Sequence, residues 1–186
     1  MKREPGWVYG TKVTNRNGEA WGGFQWPDSG VVECPDWNPE PVCGGGLHFF
    51  EDGCGDLTAA QYVLSPDAQW RLVRARDEDV VRLDGKVKAR RVEVLLCGDG
   101  ATVCGEMSRL APGRGVHFGT STSGDYGTST SGNHGTSTSG YRGIIQIKHW
   151  DGHRPRMVTG YVGENGIEPN TPYRLDADGN FVPAGN

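Results

Sequence analysis

Long apolar runs are missing from this chain. No stretch approaches the roughly 20 residues that cross a bilayer as a helix, which excludes a helical membrane protein. The opening MKREPGWVYG has no apolar segment of the kind a secretory signal carries, so export by that route is not expected. Cysteine is sparse and odd in number: five residues at 34, 43, 54, 97 and 104, with no Cys-x-x-Cys pair. That argues for reduced thiols in a cytoplasm rather than a disulfide frame. A net charge of −4 has the wrong sign for broad binding to nucleic-acid phosphates. A Gly-x-Ser-x-Gly elbow, a phosphate loop and a His-Glu-x-x-His motif are all lacking. Nothing therefore signals an enzyme, and no cofactor is expected.

Hydrophobic content is low at 35%, while glycine reaches 30 residues and tryptophan six. That mixture predicts a small β-rich core anchored by aromatics and joined by many turns, a mostly β chain of α+β type.

The most regular feature is a strict octad, GTSTSGDY, GTSTSGNH and GTSTSGYR, over residues 119–142, closed by Gly143. Strand alternation puts Thr120 and Thr122 on one face and Ser121 and Ser123 on the other, and the split recurs for Thr128, Thr130, Thr136 and Thr138. Each octad reads as a short strand followed by a tight corner. Stacked as a flattened roll, two octads make one coil. The interior is then so narrow that only small side chains fit, and ladders of hydroxyls satisfy one another. The threonine rows are taken as that structural ladder. Gly100-Ala-Thr-Val-Cys-Gly105-Glu-Met107 repeats the glycine spacing and reads as an earlier, degenerate copy. A flexible linker is the bland alternative; linkers, however, rarely keep an exact repeat. A calcium roll needs more aspartates than Asp125.

Around the roll, strands are expected at 7–14, 47–50, 70–76, 80–83 and 88–96, with 21–26 as a hairpin partner of the first. Asp56 to Leu64 reads as the one helix, capped by Asp56 and ended by Ser65-Pro66. Ile144 to Trp150 is expected to cap the roll. Two hairpins finish the chain, one around Glu164-Asn-Gly166 and one from Tyr173 to Val182. The resulting division is a body over 1–98, a roll with its cap over 99–148, and hairpins over 149–186 packing on body or roll.

The basic run Arg71, Arg74, Arg76, Arg82, Lys86, Lys88, Arg90 and Arg91 is interleaved with acids and reads as a solvated, charge-balanced surface. Cys34, Cys43, His48 and Cys54 are the right donor types for zinc, but their gaps of eight, four and five residues do not match its usual pairs, and the question stays open. Asp176 to Asn180 is a hairpin turn rather than a calcium loop. The long segment 27–46, with Trp26, Trp37 and His48, is the expected contact surface, because exposed aromatics anchor interfaces.

Two resemblances follow from named motifs. Gly44-Gly-Gly-Leu-His-Phe-Phe followed by Ala59-Ala60-Gln61-Tyr62 is similar to the box of ADP-ribosyltransferases, in which a glycine-rich strand precedes a short Ala-Ala-x-Tyr helix. Val8-Tyr-Gly-Thr11 resembles the first strand of that family, with Tyr9 where its nicotinamide-holding Arg or His would stand. His48 displaces the aromatic of the glycine-rich strand. The resemblance implies at most an inactive relative, or an unrelated fold with a similar short pattern. A small-ligand or nucleotide pocket at the same loop is the second reading, and Tyr9, Trp26, Trp37, His48 and Tyr62 are the expected ligand or partner contacts.

The box GGGLHFFED, the stretch DGKVKARRVEVL, the octads and the tail TGYVGENGIEPNTPYRLDADGNFV cover nearly the whole chain. In that order they resemble a family of small bacteriophage and prophage proteins with no established activity. The resemblance implies origin and rough architecture only. Weighed together, the residues lead to the expectation of a non-enzymatic phage protein that binds or scaffolds, with a protein partner or self-association. It would act in the cytoplasm of an infected bacterium or in the virion, as a structural component or as a counter-defence protein holding a small nucleotide.

Overall fold

Alternating β-branched and aromatic residues make Trp7–Thr14 the first strand (β1), as expected. Its partner is not the segment 21–26, where a single turn of 3-10 helix, Trp21–Gly23, and an isolated Glu19–Gln25 bridge occur instead. β1 pairs with β4 (Gln69–Arg76) along its entire length, Trp7 opposite Arg76 and Thr14 opposite Gln69. The computed structural model describes every residue except 57, 58, 64, 113, 115 and 186.

A seven-stranded, wholly antiparallel sheet forms the N-terminal unit, Met1–Leu110. Its other strands are β2 (Gly30–Glu33), β3 (Leu47–Glu51), β5 (Val80–Leu83), β6 (Lys86–Ala89) and β7 (Arg91–Gly98), in the order β2-β7-β4-β1-β3-β6-β5. The segment 27–46 is thus not loop throughout: β2 adds an edge to β7, Val32 opposite Val92. One face buries Val8, Val73, Ala75, Leu47, Phe49, Val87, Ala89, Val92 and Val94 beneath Ala20 and Trp26.

α1 (Gly100–Leu110) packs against β4, β1 and β7. It is the stretch that the glycine spacing presented as a repeat copy. Asp99 accepts from the Thr102 N–H (2.7 Å) and so caps its first turn. Val103, Cys104, Met107 and Leu110 share one buried face at helical spacing. An apolar stripe with a cap outweighs two glycines six positions apart. Conversely, the described residues of 56–65 carry no α-helix: a turn covers 61–63, with bonds from Ala59 N to Asp56 O (3.0 Å) and from Ser65 N to Tyr62 O (3.0 Å). Leu57, Thr58 and Leu64 of the expected helix lie outside the described residues. The unit boundary falls after Leu110, not at residue 98, because α1 completes the N-terminal body.

In the C-terminal unit, Ala111–Asn186, the octads form a roll. β8 (Thr120–Thr122) pairs parallel with β10 (Thr136–Thr138), and β9 (Thr128–Ser131) with β11 (Ile144–Trp150). Partners such as Thr120 and Thr136 are two octads apart, so two octads make one coil. The serines fill the inside: Ser129, Ser131, Ser137 and Ser139 are buried, and the threonines point outward. The interior ladder is therefore one of serine, since the smaller hydroxyl fits where two backbones nearly touch. Ser123 Oγ lies 2.8 Å from Ser139 Oγ, and Ser137 Oγ lies 3.0 Å from Ser131 Oγ. The outward threonines line up in rows, with Thr130 Oγ1 donating to Gln146 Oε1 (3.1 Å).

A β-turn closes each corner, for example Gly127 N to Gly124 O (3.1 Å). The left-handed positions fall on Tyr126, His134 and Arg142 rather than on the glycines. The octad glycines serve another need: a Cβ on Gly135 would sit 2.7 Å from Ser131 Cβ and 2.9 Å from the Gly119 carbonyl oxygen.

β11 is itself a strand of the roll, and others do the capping. β12 (Pro155–Tyr161) runs antiparallel to β11, and β13 (Tyr173–Leu175) pairs with β10 and with β14 (Phe181–Pro183). One hairpin is centred on Asp151–Arg154, while Glu164-Asn-Gly166 is only a turn. Ile145, Val162, Ile167 and Tyr173, with Phe181 against them, close this end with a small apolar cluster. Among the described residues, no helix is long and apolar enough to cross a membrane.

Candidate functional site

β1 and β3 pair only at Gly10–Glu51 and Thr11–Phe50. Beyond that they diverge, so Lys12–Thr14 and Leu47–Phe49 leave a slot in the sheet. Gly10 permits the approach before the split, since a Cβ there would overlap the Phe50 carbonyl oxygen and sit 2.6 Å from the Phe49 ring. The slot opens into a pocket of about 600 Å³ within the N-terminal unit, in the size range of small-molecule sites. Its wall includes Thr11, Lys12, Trp21, Phe24, Trp26, the glycines 44–46, His48, Tyr62 and Lys86.

Two ammonium groups, Lys12 and Lys86, and one carboxylate, Asp36, line the pocket. The Lys12 side chain is half-buried, its ammonium 5.2 Å over the Trp26 ring. Burial, then Lys86 and Arg71, push its pKa down to about 8. Among the described residues no carboxylate pairs with it. Lys86 Nζ sits 3.1 Å from Cys43 Sγ. Lys88, fully buried, donates to the Val42 and Gly44 carbonyls (2.8 and 3.0 Å) and lies 5.7 Å over the Trp37 ring, which ties down the glycine-rich segment. Arg71 is likewise wholly buried. The basic run is therefore no uniform solvated surface: alternation turns two of its members inward.

Among the described residues, the covered wall atoms His48 Nε2 and Thr11 Oγ1 have no hydrogen-bond partner. Burial, then Lys86, Lys12 and Lys88, lower the His48 pKa to about 4, so its imidazole is neutral near pH 7. A neutral ring nitrogen without a hydrogen bond, near a half-buried ammonium, invites a polar ligand.

Of the five expected contacts, Trp26, His48 and Tyr62 line the pocket. Tyr9 does not: it is buried elsewhere, its hydroxyl 3.3 Å from the Glu4 N–H and 3.4 Å from Arg74 Nη1. Nor does Trp37, which covers Lys88 instead. Lys12, Lys86 and Thr11 were not foreseen. Alternation put Lys12 on the same strand face as Val8, an uneconomical place for a charge, and that was the available signal. Cys34, Cys43, His48 and Cys54 do not gather: no cluster suited to a metal ion occurs among the described residues. The Cys34 thiol donates instead to Asp36 (3.0 Å).

No curated protein and no solved structure matches the chain. A family match runs from Val8 in β1 to Cys104 in α1, a span that contains every residue of the pocket wall and none of the roll. It covers more than half of the 186 residues, and the chain belongs to the family Domain of unknown function (DUF7666).

Proposed function

We propose that this is a non-enzymatic binding protein of bacteriophage origin whose N-terminal unit captures a small anionic ligand in the slot between β1 and β3. The observation that carries the reading is Lys12. A half-buried cation that lacks a carboxylate partner and sits near other cations costs the folded state free energy. Lys86 and Arg71 raise that cost instead of offsetting it. An anion arriving in the pocket supplies the missing counter-charge, so the strain of the empty state becomes affinity in the filled one.

The reading makes an unusual double prediction for Lys12→Met. The ligand-free protein should melt at a higher temperature than wild type, because a half-buried charge without a carboxylate partner is gone. Stabilisation by inorganic pyrophosphate, measured by thermal shift, should weaken by roughly 10-fold or more, the scale of a lost charge-assisted hydrogen bond. No response to pyrophosphate in either protein, or an undiminished one in the variant, would refute the site.

The pH dependence has a definite sign. Below about 8 Lys12 is charged in the empty pocket and binding needs no proton. Above it the free protein has lost that proton, and the anion must bind with proton uptake. Affinity should therefore fall as pH rises through about 8, by up to tenfold per unit, and the decline should vanish in Lys12→Met.

A scaffolding role in assembly or in the virion is the second reading, favoured by the serine-filled roll. Its hydroxyl-to-hydroxyl contacts and two-octad pairing favour a packed roll over a flexible tether. Concentration-dependent oligomers in light scattering would support it, and a monomer at all concentrations would count against self-association.

A further inference from the structure

The pocket holds more than a cationic corner. Trp21 is 81% exposed and forms part of its wall, an expensive placement for the largest side chain in the protein. It sits in the 3-10 turn with Gly22 and Gly23, both at positive φ, and a Cβ on either glycine would meet nothing within 4 Å. Phe24 lies half-buried behind it, edge-on to Trp26 with ring centroids 6.2 Å apart. One aromatic side chain therefore stands on the pocket wall with most of its ring surface open to solvent.

Three chemistries thus converge on one cavity: ammonium groups, an open aromatic face, and buried polar atoms in want of a partner. We infer that the ligand is a nucleotide, its phosphate against Lys12 and Lys86, its base stacked on Trp21 and Phe24, and a polar edge of base or sugar against His48 Nε2 and Thr11 Oγ1. This rests on the anion-site reading above and assigns its ligand class. A bare polyphosphate would neutralise the lysines and leave Trp21 in water. A phosphorylated phenol would fill the lysine and aromatic positions, yet its ring has no polar edge to offer His48 and Thr11. A nucleotide alone among these satisfies all three, and a volume of about 600 Å³ accommodates it.

The test is a titration of the full chain, followed by tryptophan fluorescence and calorimetry. The probes are the four ribonucleoside 5′-monophosphates and triphosphates, the matching nucleosides, inorganic pyrophosphate and phosphotyrosine. At least one nucleotide should bind roughly 10-fold or more tightly than both its nucleoside and pyrophosphate. Trp21→Ala, at a site too exposed to disturb folding, should weaken that nucleotide roughly 10-fold, as loss of base stacking does, and leave pyrophosphate binding unchanged. His48→Ala should weaken the nucleotide more than pyrophosphate. Pyrophosphate binding as tightly as every nucleotide, with Trp21→Ala silent, would overturn the nucleotide and leave the anion site standing. Phosphotyrosine outcompeting every nucleotide would overturn it as well. Failure of all anions to bind would remove both claims together.

Discussion

Replacing Arg71 with Met is expected to destabilise the N-terminal unit by about 3–5 kcal/mol, the scale seen when one partner of a buried charged network is removed. The side chain is wholly buried. Its Nε donates to the Pro27 carbonyl (2.7 Å) and its Nη1 to Thr14 Oγ1 (2.7 Å). Nη2 reaches Asp28 Oδ1 (2.8 Å) and Gln69 Oε1 (3.1 Å). Asp28 is largely exposed, so its ion pair is screened and the neutral acceptors carry most of the effect. Methionine fills much of the volume but leaves those acceptors orphaned in a covered place.

Arg71→Lys should rescue little, because an ammonium cannot serve acceptors spread around a planar fork. The consequence for the pocket is direct. Residues 26–28 hang on Arg71, and Trp26 forms both part of the wall and the surface beneath Lys12. Urea denaturation followed by tryptophan fluorescence measures the loss; a cost below about 1 kcal/mol would show that the network is dispensable.

The second large effect lies in the roll. Ser137→Val is expected to cost about 2–4 kcal/mol, combining overpacking with lost hydrogen bonds. Ser137 Oγ lies 3.0 Å from both Ser131 Oγ and the Gln146 carbonyl oxygen, and the residue is fully buried. Two methyl groups in place of one hydroxyl find no room, since even a Cβ on Gly135 would crowd Ser131. Ser137→Ala forfeits only the bonds and should cost about 1 kcal/mol. Thr120→Val, exposed on the outer face, should be near neutral. Amide exchange over residues 119–147 reads these differences where they arise: accelerated in Ser137→Val, little changed in Thr120→Val. Equal exchange in both variants would mean that the interior is not packed as described.

Most strands were legible because their signals are local. Alternation in Trp7–Thr14 and Val80–Leu83 needs only neighbouring residues to be read, and the structure places both strands at the expected bounds. The helix was misassigned by the same local logic: Gly100 and Gly105 imitate the octad, and the decisive cap and apolar stripe lie in Asp99, Val103, Cys104, Met107 and Leu110. In the site, Trp26, His48 and Tyr62 stood out as unusual residues beside a glycine-rich segment, whereas Tyr9 was picked for its place in a motif and proved to be core.

Repetition pointed to stacked strands and, if rolled, to two octads per coil, but a flat meander has the same period; the parallel pairing of strands two octads apart decided for the roll. Which hydroxyl faces inward was not fixed that way, since alternation distinguishes two faces without naming the buried one. Approach of the opposing strand to within reach of Ser131 and Ser137 settled it in favour of serine. The pocket belongs wholly to long-range packing. Lys12, His48 and Lys86 stand 36 and 38 residues apart in succession, and a divergence between two strands brings them together. Whether a lysine on a strand is solvated or stranded depends on what covers its face, and here that cover comes from Trp26, held by Arg71, far along the chain.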